Sequence, residues 1–233
     1  MFRYIPIGRS RFNRLICCIA AIPMVVFAQN ASADDDWWQN QHARTDWVFK
    51  TLKDSDVAST LDRVLKEQER WANLPENAPT KFSCTKLELP PPSPAALSAF
   101  NQASMTRGPE ADRGYAKAAS LGYWRAAARL VNSSLEDEYW EGAVPIVAWL
   151  LVHHVPAGYN KLADVLEARS GYDGDAPSDG TLDTIESLRW RAAREGDPVA
   201  QAQLADVFDK IKKPAIAASL RACATEQNPD LTH

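Results

Sequence analysis

No stretch of this sequence alternates apolar and polar residues for any length, so the period of a half-buried β-strand is missing and a sheet-based fold is excluded. There is no G-x-S-x-G elbow and no glycine-rich phosphate loop, which removes the usual sequence marks of serine hydrolysis and nucleotide binding. Ser133, Ser134, Asp137 and His153 hold the atom types of a hydrolytic triad, but without an elbow no catalysis is expected. Histidine is scarce, at four residues, and no H-x-x-x-H spacing occurs. The one pair, His153-His154, is adjacent, and neighbours on a helix point about 100° apart, so the two rings do not chelate one ion. No metal or cofactor is expected.

Cysteine is equally scarce, at four residues, and two of them, Cys17 and Cys18, sit in an N-terminal segment that reads as a leader. Arg3, Arg9, Arg11 and Arg14 form a basic region without an acid. An apolar run, Leu15–Ala28, follows and is too short to span a bilayer comfortably. Ala31-Ser32-Ala33 then has the small-x-small pattern of a signal peptidase site. No small residue precedes the cysteines as a lipobox requires. The expectation is a signal peptide over 1–33, a mature N-terminus at Asp34, and a periplasmic protein that does not insert into the membrane. Its net charge falls from −4 to −8, because the four charges removed are all Arg. That acidity argues against nucleic acid and anionic membranes as partners. The two remaining cysteines, Cys84 and Cys223, form an even pair in an oxidising compartment, and a disulfide between them is expected.

What remains is helical nearly throughout. Val57, Leu61, Val64, Leu65, Gln68 and Trp71 outline one face of a helix starting near Asp54, and a shorter helix is expected over Trp37–Leu52. This N-terminal helical pair occupies 34–75. A connector over 76–94 ends in Leu89-Pro-Pro-Pro-Ser-Pro94 and reads as extended chain. Beyond it, in 95–233, a motif recurs. AASLGYWRAAARL (Ala118–Leu130) aligns without a gap to AAREGDPVAQAQL (Ala192–Leu204). LLVHHVPAGYNKL (Leu150–Leu162) is a degenerate copy, with Leu-Leu for the alanine pair and His154 for the turn glycine. CATEQNP (Cys223–Pro229) matches the start of a fourth. Alanine is the best helix former and the smallest side chain with a Cβ, so alanines around a turn glycine suit two closely packed helices. Leu130, Leu162 and Leu204 are expected to fill the space between hairpins. Paired helices repeating at periods in the thirties indicate an α-solenoid.

These residues resemble Sel-one-like repeats, relatives of the tetratricopeptide repeats, over roughly Phe82–Pro229. Phe82-x-Cys84, Leu89-Pro90, Tyr115-x-x-Ala118-Ala119-x-x-Gly122-Tyr123, Pro156-x-Gly158-Tyr159-x-x-Leu162 and Cys223-Ala224-x-Glu226-Gln227 resemble one subgroup of exported bacterial proteins. Members of that subgroup often act as immunity proteins beside type VI secretion effectors, notably phospholipases. The resemblance therefore implies an all-α solenoid that binds and neutralises a cognate lipase or phospholipase toxin. The alternative is a periplasmic adaptor that scaffolds envelope or secretion machinery.

In such repeats the two positions before the alanine pair are usually polar and exposed. Trp190, flanked by Arg189 and Arg191, takes one of them and is expected to be an exposed partner-binding anchor. Trp149 takes the other, and either serves as an anchor too or packs between repeats against Trp140 or Trp124. Asp175–Glu186 matches an EF-hand loop at positions 1, 5, 6, 8, 9 and 12, but Pro177 supplies no ligand at position 3. It is expected to be an inter-repeat loop without calcium, in which Asp183-x-x-Glu186 caps the next helix.

Overall fold

The computed structural model of the protein describes residues 33–172 and 176–228. The expected leader lies outside them apart from Ala33, which opens the first helix. The described residues form α-helices without a strand: α1 (Ala33–Thr45), α2 (Asp54–Ala72), α3 (Pro94–Ser104), α4 (Gly108–Ser120), α5 (Trp124–Glu136), α6 (Trp140–Val152), α7 (Ala157–Tyr172), α8 (Asp179–Arg194), α9 (Pro198–Lys210) and α10 (Pro214–Gln227). From α3 onward each helix packs on the next, which makes an all-α solenoid of consecutive pairs.

The alanines do what their size allows. Ala118, Ala119, Ala126, Ala192, Ala193 and Ala200 are all fully buried, and Leu130, Leu162 and Leu204 are buried within the apolar clusters. Gly114 serves the same end in α4, where a Cβ would come 2.7 Å from that of Ala103 in α3. Proline marks the first turn of α3, α4, α9 and α10, where its missing N–H costs no helical bond.

Five helices end in one and the same way. Gly122, Glu138, His154, Gly196 and Lys212 all have positive φ. At each, the N–H of that residue bonds the carbonyl three residues back, and the following N–H bonds the carbonyl five back. Examples are Gly122 to Ala119 at 2.8 Å and Tyr123 to Ala118 at 3.1 Å, or Lys212 to Asp209 at 3.0 Å and Lys213 to Phe208 at 2.8 Å. These are Schellman caps, and they satisfy the last helical carbonyls. The positions 122, 138 and 154, and again 196 and 212, are 16 residues apart. The structural unit is therefore one helix with its left-handed turn, and two such units make the hairpin repeat. His154 takes the place of a glycine with φ 54°.

The N-terminal pair is no separate body. α1 packs on α4 and α6, and α2 on α6 and α8, so together they cover the face made by the first helices of the three hairpins. A single apolar cluster holds Trp47, Val48, Leu52, Val57, Leu61 and Val64 of this arm together with the solenoid side chains. Instead of running from Trp37 to Leu52, the first helix stops at Thr45, and a 3-10 turn covers Val48–Lys50. The indole N–H of Trp47 closes that end by donating to the Arg44 carbonyl at 2.7 Å. Arg44 is 3 % exposed and ties α1 down. Its guanidinium lies 2.6 Å from Asp112 of α4 and 2.7 Å from Asp137 in the α5–α6 turn. The arm also explains the degenerate middle repeat. α6 touches α1, α2 and the 3-10 turn as well as α5 and α7, and Leu150 and Leu151 fill depth that the other repeats close with alanines.

The connector leaves α2 through a 3-10 turn at Pro75–Asn77 and runs without regular structure from 81 to 93. It crosses the α8–α9 turn so closely that a Cβ on Gly196 would lie 3.0 Å from the Thr85 carbonyl. Cys84 and Cys223 are joined by a disulfide that fastens the connector to α10, with Cα atoms 5.5 Å apart. Gln227 adds to the fastening by accepting from the Leu87 N–H at 2.6 Å.

The stretch from Asp175 to Glu186 differs from its expected form. Asp175 lies outside the described residues, but α8 already begins at Asp179, and its N-cap is Ser178, whose hydroxyl accepts from Thr181 N–H at 3.3 Å. Asp183 and Glu186 stand within the helix and do not cap it. A serine in the extended conformation just before the first turn outcompetes an acid already inside it.

Candidate partner-binding site

Trp190 is not an exposed anchor. It is 5 % exposed, because the connector lies over the position that an ordinary repeat leaves to solvent. Its indole N–H donates to the Asn77 carbonyl at 2.7 Å, and its ring packs against Phe82 at 6.0 Å and Phe208 at 5.6 Å. The flanking arginines are paired within the chain as well. Arg189 pairs with Asp164 at 3.1 Å and Glu167 at 2.5 Å. Arg191 bonds Glu195 at 2.8 Å, and its guanidinium lies 4.2 Å over the Tyr159 ring. All three residues hold α8 to α7, the arm and the connector, and are engaged within the chain.

Trp149 is also buried, at 5 % exposure, but against different rings from those expected. It meets Trp47 edge-on at 5.0 Å and stacks with His153 at 4.1 Å. One part of it still borders open space, because these rings form the floor of a cleft of about 550 Å³. One wall is the α4–α5 turn, Ala119 to Gly122 with Trp124. The second is the α6–α7 turn, at His153 and Val155. The third is formed by Thr51 and the connector residues Leu89 to Ser93. Three features thus line the cleft: the two left-handed turns, Trp47 at the start of the 3-10 turn, and the triple proline, whose fixed φ stiffens the connector.

His153 is the one titratable side chain in that lining. Its ring stacks on Trp149, and its Nδ1 is held 2.8 Å from the Trp149 carbonyl. The Ser93 hydroxyl accepts from the Ala96 N–H, and that of Ser120 donates to the Lys117 carbonyl. A cleft so lined is aromatic and carries no carboxylate, lysine or arginine. It is suited to receive apolar side chains from a partner and has no aligned nucleophile and base. A Cβ added at Gly122 would meet nothing within 4 Å, so the wall leaves room there, and the half-exposed Leu121 stands at the rim. Ser133, Ser134, Asp137 and His153 do not converge. Asp137 follows α5 beside Arg44, and His153 follows the far end of α6, a helix of 13 residues and about 20 Å. Among the described residues no group of three or more His, Cys, Asp or Glu is placed to hold a metal ion, and no helix is long and apolar enough to cross a membrane.

Sequence reasoning missed the cleft because its parts come from four separated segments. Only the prolines and the turn glycine carried a local signal. No protein-family model, curated protein or solved structure matches the chain.

Proposed function

We propose that the protein is an exported binding protein that neutralises a secreted effector of the lipase or phospholipase class by occupying its surface. The observation that carries this reading is the aromatic cleft, lined without carboxylate, lysine or arginine. Its walls are fixed by two Schellman turns, a proline run and a covalently tethered connector, so little ordering cost opposes the entry of an apolar loop. The likeness of the repeats to exported immunity proteins supports the same reading. A blocking partner of a membrane-active enzyme needs shape and slow dissociation, and the apolar rim that such an enzyme turns to lipid is the surface an aromatic cleft suits.

The test is protection. Cells without this gene should be killed by sister cells that deliver the effector encoded beside it, and periplasmic re-expression should rescue them. Re-expression of Leu121→Asp, which puts a charge at the cleft rim on an exposed residue, should fail to rescue. If deletion leaves competition unchanged and the purified protein binds no neighbouring effector, the reading falls and a scaffold of envelope machinery takes its place.

A further inference from the structure

A second surface lies at the other end of α6. Trp37 and Trp38, in the first turns of α1, are 37 % and 51 % exposed. They meet each other edge-on at 4.7 Å and close on Tyr139 at 5.2 and 6.3 Å. Two large indoles left partly in water, side by side, form an apolar patch that a monomeric surface does not need. The patch is held in place, because Arg44 pins α1 to Asp112 and Asp137 within two turns of it.

The exposed ionisable groups of the adjoining turn are acidic, and the basic groups nearby, His42 beside the Trp38 ring among them, are engaged within the chain. Glu136, Asp137 and Glu138 are exposed in the α5–α6 turn, and Glu141 stands half-buried one residue beyond Trp140. Asp137 is engaged by Arg44, while no ion pair holds Glu136, Glu138 or Glu141 among the described residues. His42 pairs with Asp46 at 3.6 Å. Arg44 is buried, and the Arg169 guanidinium lies 5.2 Å over the ring of Trp140, which lines the neighbouring groove together with Glu138. Burial and the adjacent Glu141 push the Tyr139 phenol up from its ordinary value, as expected where the local field is negative.

We propose that the edge formed by Trp37, Trp38, Tyr139 and the Glu136–Glu141 turn is a docking surface for a basic protein surface, one that presents Lys or Arg beside apolar side chains. Indole faces attract such cations and carboxylates pair with them. The same carboxylates repel the anionic headgroups of a bacterial membrane, which argues against the other surface that exposed tryptophans suit. The inference does not rest on the neutralisation reading, since it concerns a different surface and names only the partner's charge and shape.

The experiment uses the mature oxidised chain and a tryptophan-free helical peptide of repeated Lys-Leu-Ala-Lys, with its Glu counterpart as control. Tryptophan fluorescence should report binding of the cationic peptide alone, weakening at least tenfold between 50 and 300 mM salt. The double variant Trp37→Ala/Trp38→Ala and the triple variant Glu136→Gln/Glu138→Gln/Glu141→Gln should each weaken it about tenfold by calorimetry. Glu69→Gln/Glu88→Gln, on α2 and the connector, should change it less than twofold. Unchanged unfolding midpoints would show that the substitutions leave the fold intact. The proposal is overturned if the patch variants bind the peptide as tightly as the parent, if the control pair weakens it equally, or if the protein co-sediments with phosphatidylglycerol-containing vesicles through Trp38.

Discussion

Asp197 offers the sharpest test of how this fold tolerates buried charge. Its carboxylate caps α9, accepting from the Ala200 N–H at 3.1 Å, yet the residue is 1 % exposed and its second oxygen has no partner among the described residues. Burial pushes its pKa up from 3.8 to about 6, against the pull of the Ala200 and Val199 N–H groups and of Lys161, with Asp164 adding to the rise. The folded state therefore holds the proton more tightly than the unfolded chain. Stability from this group is fully present below 3.8 and is lost as pH rises through about 6. A shift of about two units corresponds to roughly 3 kcal/mol over the whole window, and about half of that is lost between pH 5 and pH 7.5. Asp197→Asn keeps a cap acceptor and cannot ionise. At pH 7.5 it should be more stable than the parent by up to about 3 kcal/mol, and the difference should shrink at pH 5. Urea unfolding of the oxidised chain at both pH values reads this directly, and subtracting variant from parent removes the contribution of Glu186, whose pKa burial also raises. An asparagine variant less stable than the parent at pH 7.5 would refute the argument, because the ionised carboxylate would then be worth more to the helix than its burial costs.

Trp190→Ala should destabilise the protein by about 3–5 kcal/mol, as loss of a packed core indole does, and thermal unfolding will show it before any binding assay does. Arg44→Ala leaves the buried Asp112 carboxylate with only the Asn40 amide as partner, and should cost about 3–5 kcal/mol and raise proteolysis within residues 34–53. Glu138→Gly and Lys212→Gly relieve side chains held at positive φ; each should stabilise by up to about 1 kcal/mol in denaturant titrations, and no gain would mean that the Schellman turns impose no strain.

Much of the solenoid was legible in the sequence because small residues at helix crossings leave a periodic signal. Ala118-Ala119-x-x-Gly122 and Ala192-Ala193-x-x-Gly196 announce both the packing and the turn. The turns at Glu138 and Lys212 were illegible, since neither residue favours a left-handed conformation and the hydrogen-bond pattern alone defines them. Trp190 was misjudged for a different reason. Its position is exposed when a repeat is considered alone, and only the path of the connector, fixed by Cys84 some 106 residues earlier, covers it. Trp149 is legible as a packed residue only once Trp47 of the arm is known to reach it. In both cases the deciding contact is distant in sequence and leaves no local trace.

Solenoids built from stacked hairpins ordinarily unravel from their ends, because each repeat depends only on its neighbours. The arm that crosses α4, α6 and α8 removes that freedom. Releasing the first hairpin strips the cover from the second, and releasing the third strips α2 from the same cover. The amides of α5, α7 and α9 should then exchange with solvent at a common free energy, through one global opening, where a bare repeat array would show a gradient from its centre to its ends.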